Sequence, residues 1–175
     1  NPGILYAVVE NANMRPPLEQ EAAQDRSRDI EPRERMIGGE VYRTDDAGET
    51  WKKMNDLEDN VGGKAAYSFN QIRVDPHNDM NVFVTSICLA NSTDGGMTWH
   101  DIDWPPTRLF SSMFGDVRTL WIDPENSDRI ILGSDGGVFI SYDGGKTCDH
   151  HYNLPLGEFY AIGVDLSLIH ISEPT

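Results

Sequence analysis

Short apolar and β-branched runs punctuate the chain, separated by polar stretches rich in glycine and proline. Residues 4–9, 81–87 and 129–132 are mostly β-branched and apolar, while 40–43 and 137–142 alternate with a period of two. Both patterns predict strands, because side chains on a pleated ribbon alternate between faces. Within the middle of the chain, four strands are expected at about 69–74, 81–87, 88–93 and 98–102. Only the stretch Pro17-Leu-Glu-Gln-Glu-Ala-Ala-Gln-Asp-Arg26 places strong helix formers behind a proline, which predicts a short helix there.

The strand pattern repeats. Thr44-Asp-Asp-Ala-Gly-Glu-Thr-Trp51, Ser92-Thr-Asp-Gly-Gly-Met-Thr-Trp99 and Ser141-Tyr-Asp-Gly-Gly-Lys-Thr-Cys148 align without gaps, at spacings of 48 and 49 residues. A second motif keeps the same beat: Ile72-Arg-Val-Asp-Pro-His-Asn-Asp79 matches Leu120-Trp-Ile-Asp-Pro-Glu-Asn-Ser127, and Ile162-Gly-Val-Asp165 is a weaker third copy. Two motifs in phase, with four short strands to each repeat, predict an all-β fold of four-stranded antiparallel propeller blades.

The repeated turn needs its residue types. Thr44, Ser92 and Ser141, each followed two residues later by Asp46, Asp94 and Asp143, can bond the amides of a tight turn. Gly48, Gly96 and Gly145 supply the positive φ of such a hairpin, and Trp51 and Trp99 open the outer strand as large wedges between blades. These residues are therefore expected to build the hairpins and to leave the chemistry to others.

Charge narrows the partners. The 175 residues carry a net charge of −15, from 14 Lys and Arg against 29 Asp and Glu. A phosphate backbone would be repelled by that field, which argues against nucleic acid. No run approaches the ~20 apolar residues of a membrane span. Cys88 and Cys148 occupy different positions of the repeat, so no disulfide is implied between them. Cys148-Asp149-His150-His151 carries zinc-ligand types, but alternate side chains on a strand point opposite ways and cannot converge, so no metal or other cofactor is expected.

The three hairpin motifs resemble the Asp-box (BNR) repeat, found in sialidases, xyloglucanases, sortilin-type receptors and photosystem assembly factors. More narrowly, Gly38-Gly-Glu-Val-Tyr-Arg-Thr-Asp-Asp-Ala-Gly-Glu-Thr-Trp51, Leu120-Trp-Ile-Asp-Pro124 and Asn153-Leu-Pro-Leu-Gly-Glu-Phe-Tyr-Ala-Ile-Gly-Val-Asp165 are similar to large secreted bacterial proteins of the sortilin-like or BNR-repeat glycosyl hydrolase kind. The resemblance covers residues 1–166 and implies a partial β-propeller of about three blades, an extracellular or periplasmic location, and boxes on the face away from the ligand site. Residues 167–175 depart from it and read as a non-native tail. Missing blades of the parent chain would be the fragment's first partners, and alone it is expected to aggregate through open strand edges.

On the opposite face, blade geometry groups Gly115–Arg118, Ser134–Gly136, Tyr67–Asn70, Gly157–Tyr160 and the connection from Trp104 to Phe114. Arg118, Tyr160 and Asn70 are the candidate contacts for a peptide or glycan ligand. Asp116, Asp135 and Glu158 are the candidate carboxylates, since glycoside cleavage needs two of them about 5–10 Å apart. Each has a bland alternative: Asp116 and Asp135 as turn caps, Glu158 as an ion-pair partner of Arg118. A sialidase would need an arginine cluster, and Arg118 alone is not one. An insertion at 11–37 reads equally as a lid or as a mobile surface loop. The sequence thus points to a binding scaffold, with glycoside hydrolysis as the alternative.

Overall fold

A computed structural model of the chain describes residues 2–16, 36–56, 59, 61–62, 69–102 and 105–153. Among these, the β-branched and alternating runs become ten strands: β1 (Leu5–Met14), β2 (Met36–Thr44), β3 (Lys52–Lys53), β4 (Ile72–Asp75), β5 (Asn78–Thr85), β6 (Leu89–Ser92), β7 (Val117–Ile122), β8 (Ile130–Ser134), β9 (Gly137–Ser141) and β10 (Asp149–His150). They form three antiparallel sheets in chain order, β1-β2-β3, β4-β5-β6 and β7-β8-β9-β10. No described residue is helical. The fold is all-β, a series of meander sheets in the manner of a partial propeller.

Pairing register makes the sheets equivalent residue by residue. Leu5 pairs with Thr44 and Ala7 with Tyr42 in the first sheet; Val82 pairs with Ser92 and Val84 with Ala90 in the second; Ile130 pairs with Ser141 and Leu132 with Phe139 in the third. Paired residues share a face, so each sheet has a leading face carrying the Ser or Thr of its hairpin and a trailing face on the other side.

Two hydrophobic layers follow. Tyr6, Val8 and Val41 on the first sheet's trailing face pack against Val82, Val84, Ala90 and Trp99 on the second sheet's leading face. Phe83 and Leu89 on the second sheet's trailing face pack against Leu120, Leu132, Ile130 and Phe139 of the third, with Phe110 and Met113 from the connection between them. Polar ties reinforce both layers. Arg43 donates to Tyr6 Oη (2.6 Å), whose hydroxyl donates to the Asp79 carbonyl (2.8 Å). Arg73 Nε donates to the Leu120 carbonyl at 3.1 Å, and Ser127 Oγ donates to the buried Asp75 carboxylate.

The structure departs from the sequence pattern in three places. The fourth strand expected at 98–102 shrinks to one bridge between Asn91 and His100. Its cause is Asp101, which adopts φ 54 and accepts hydrogen bonds from the backbone amides of Thr107, Arg108 and Leu109, turning the chain away. The run 81–87 ends as a strand at Thr85, and residues 86–88 turn. The ends of the 11–37 insertion are strand, not loop: β1 runs on to Met14 and β2 begins at Met36, with a register shift between Asn11 and Met14. The expected helix, Trp104, Glu158, Tyr160 and the tail 167–175 lie outside the described residues.

Candidate functional site

The repeated aspartates sit in three hairpins of one design. Asp46 Oδ1 accepts from Thr44 Oγ1 (2.6 Å) and the Thr50 amide (2.9 Å), and Oδ2 accepts from Thr50 Oγ1 (2.6 Å). Asp94 takes the same three bonds from Ser92 Oγ, the Thr98 amide and Thr98 Oγ1, at 2.8, 2.9 and 2.6 Å. Asp143 takes them from Ser141 and Thr147 at 2.9, 2.8 and 2.7 Å. Meanwhile Thr44, Ser92 and Ser141 accept the amides of Gly48, Gly96 and Gly145, glycines held at φ 99, 96 and 90 where a side chain would be strained. Trp51 and Trp99 close the turns by donating Nε1 to the carbonyls of Gly48 and Gly96.

These bonds favour the ionised carboxylate. The bond from Thr44, then those from Thr50, hold Asp46 down to about 2, and the amide and hydroxyl of Thr147 do the same for Asp143. Burial opposes the shift at Asp94, yet the bonds from Thr98 and Ser92 still keep it below its ordinary value. Carboxylates saturated with donors in this way serve turns, not proton transfer.

The opposite ends of the strands hold the other candidates, and there the structure gathers three of them. Arg118, on β7, forms a two-pronged ion pair with Asp135, Nε to Oδ1 at 2.8 Å and Nη2 to Oδ2 at 3.0 Å. Its Nη2 also lies 3.8 Å from Asp116 Oδ2. The guanidinium stacks over the Phe69 ring, 4.9 Å from its centroid. Asp116 reaches this position through φ 62 and a backbone bond from its amide to the Ile87 carbonyl, and its own carbonyl accepts the Asp135 amide. The cluster is half exposed. The Arg118 bond holds the Asp135 carboxyl below the ordinary aspartate range.

Asn70 lies apart from this group. At φ 67 its side chain turns inward over Gly62, where a side chain on residue 62 would strike the Asn70 amide. Among the described residues neither its Oδ1 nor its Nδ2 has a hydrogen-bond partner. Glu158 and Tyr160, the remaining candidates, fall outside the described residues. Sequence reasoning missed Ile87, which the 86–88 turn leaves exposed beside Asp116. The sequence pattern carries the strand on to Ile87, whereas the chain turns at 86–88.

Other motifs are spent on structure. Asn91 is buried and donates to Asn81 Oδ1 and the Val82 carbonyl, so its side chain is spent on the second sheet. His150 stacks on Phe139 at 4.4 Å and its Nε2 meets the Gly136 carbonyl, while Cys88 is buried and Cys148 half-buried. Among the described residues no group of three His, Cys, Asp or Glu is placed to hold a metal, and no helix is long and apolar enough to cross a membrane.

No protein-family model matches the chain, and no curated protein matches it. Solved structures do align with it. An ancestral GH74 enzyme aligns with a TM-score of 0.47 at 19% identity, over 65% of this chain and 16% of that one. The GH74 xyloglucanase from Xanthomonas campestris aligns with a TM-score of 0.47 at 17% identity, over 69% and 20%. YCF48, bound to D1 peptide, aligns with a TM-score of 0.44 at 18% identity, over 65% and 35%. The chain therefore spans between 16% and 35% of the length of these proteins.

Proposed function

We propose that the chain is part of a secreted Asp-box β-propeller of the sortilin-like kind. It binds a peptide or glycan on the face opposite the hairpins, and blades of its parent chain complete that face. The observation that carries this reading is the state of Arg118 and Asp135. The guanidinium is already engaged by two carboxylates and an aromatic ring, and Asp135 is ionised and occupied. A general acid must instead hold a proton near neutral pH. A sialidase-type arginine must be open to an incoming carboxylate. Asp135 is thus not placed to serve as the acid and Arg118 is not an open anion site; the pair suits a rigid polar platform, with Asp116 and Ile87 at its margin.

Such a platform favours neutral, hydroxyl-rich or cationic ligands, since the surrounding field is negative. The test is binding by the full-length parent to panels of neutral polysaccharides and basic peptides, followed by turnover assays on the same polysaccharides. Retained binding without hydrolysis, weakened by Asp116→Asn, is the expected result. Hydrolysis that disappears on replacing Asp116 or Glu158 would overturn the binding reading in favour of a glycoside hydrolase.

A further inference from the structure

Backbone strain gathers in one connection. Among the described residues five non-glycines have a positive φ, and three of them, Asp101 (54), Phe110 (50) and Asp116 (62), lie between β6 and β7. A left-handed backbone is costly for an aromatic residue and persists only where its surroundings enforce it. Phe110 is nevertheless fully buried, in the core between the second and third sheets.

Contacts at three points enforce it. At the first, the Asp101 carboxylate accepts the amides of Thr107 (2.8 Å), Arg108 (3.1 Å) and Leu109 (2.9 Å), together with Thr107 Oγ1 (3.2 Å). Burial opposes the charge, yet the amides of Thr107, Leu109 and Arg108 keep this carboxyl below its ordinary value. At the second, the very next amide, that of Phe110, donates to the Gly145 carbonyl of the third hairpin at 2.7 Å, and the Met113 amide donates to the Phe110 carbonyl at 2.9 Å. A side chain on residue 145 would strike the Phe110 ring. At the third, Phe114 lies over Gly136, where an added Cβ would come within 2.3 Å of the Phe114 Cβ. There the Asp116 amide also donates to the Ile87 carbonyl at 3.0 Å. The connection thus runs from the third hairpin to the opposite face, where Asp116 meets Arg118.

We propose that residues 105–116 form a strap latched by the Asp101 carboxylate, which shifts as one unit and carries Phe114 and Asp116 with it. The physical reason is the order of the bonds. Leu109 is tied to Asp101, and Phe110, next in the chain, is tied to the hairpin while holding its strained φ. Without the carboxylate the three amides lose a charged acceptor, and the strained φ of Phe110 relaxes. Met113 hangs from the Phe110 carbonyl, so the shift passes on to Phe114 and Asp116. Asp101 is therefore a positioning residue for the opposite face. It acts through the strap, and the inference does not rest on what that face binds.

The test is amide hydrogen exchange in the full chain, with Asp101→Ala and Gly136→Ala. Loss of the carboxylate should speed exchange at Phe110, Met113 and Asp116 by about tenfold or more, as expected when bonds to a charged acceptor are lost. Val82 and Val84, in the second sheet, should keep the wild-type rate. Gly136→Ala pushes Phe114 from the far end, and it should speed Leu109 and Phe110 as well, because a coupling between two ends is reciprocal. Faster exchange confined to Thr107, Arg108 and Leu109 in Asp101→Ala would overturn the proposal and leave Asp101 a local turn cap. An effect of Gly136→Ala that stops short of Phe110 would overturn it equally. If Asp101→Ala also speeds Val82 and Val84, Asp101→Asn, which keeps one acceptor oxygen, takes its place. General loss of protection in that variant too would overturn the strap, because Asp101 would then belong to the frame of the whole fold.

Discussion

The second hairpin and the first share sequence, hydrogen bonds and backbone angles, yet they live in different surroundings. Trp99 is 8% exposed, packed with Val82, Val84 and Ala90 against the first sheet. Trp51, in the same turn with the same bond to its glycine carbonyl, is 44% exposed. The difference separates two contributions that the repeated motif merges. The Ser/Thr-Asp-Gly bonds form the turn locally, with no help from a neighbouring sheet. The indole stabilises the fold only where a trailing face covers it, because hydrophobic stabilisation scales with area removed from water.

The sharpest way to break this comparison is to truncate both indoles. Trp99→Ala should cost about 3–5 kcal/mol, as buried large-to-small changes do, while Trp51→Ala should stay within about 1 kcal/mol, as exposed substitutions do. Denaturant titration of the two variants measures both, and equal losses would show that the first hairpin is covered in solution. Next in size is Ser92→Ala. Ser92 is fully buried, donates to Asp94 and accepts the Gly96 amide at 2.8 Å. Its removal should cost about 1–3 kcal/mol through the amide left unpaired, again read by denaturant titration.

Acid should then act on the first and third hairpins alike. Asp46 and Asp143 have folded-state values of about 2, below the ordinary aspartate value. A depressed folded value means stability that is present above the unfolded value and is lost as pH falls through the folded one. The hairpins should therefore hold above about pH 4 and loosen between pH 4 and 2. Carboxyl resonances followed by NMR would check this, and a midpoint near 4 for Asp46 would show that its bonds do not form in solution. The smallest expected effect is at the opposite face. Breaking the half-exposed Arg118–Asp135 pair with Asp135→Asn should change stability by no more than about 1 kcal/mol. Thermal unfolding is the check, and a larger loss would make this cluster part of the frame that the hairpins belong to.

Much of the fold was legible because its signals are local. Ser92, Asp94 and Gly96 lie within five residues and specify one turn, and the spacing of 48 and 49 residues announces its repetition. The candidate face was legible only in outline. That Arg118 and Asp135 lie at the same ends of their strands follows from strand direction, and their convergence on one guanidinium was not visible. Glu158 lies outside the described residues, and among those it is Asp135 and Asp116 that engage Arg118. Asn70 was placed on the same face by chain order, but its positive φ turns its amide inward over Gly62. Backbone angles at single non-glycine residues, such as Asn70, Asp101 and Asp116, leave no mark in a hydrophobic pattern.

By itself, then, the sequence determined the strands, the turns between them and their repetition, since each depends on residues near one another in the chain. Only the tertiary structure decided which tryptophan is covered, which carboxylates meet Arg118, and where the fourth strand of the middle sheet dissolves into a bridge. Those outcomes depend on which sheet face lies against which, and on bonds between segments far apart in the chain. Copies of one motif cannot encode that difference, because the motif is the same and the neighbours are not.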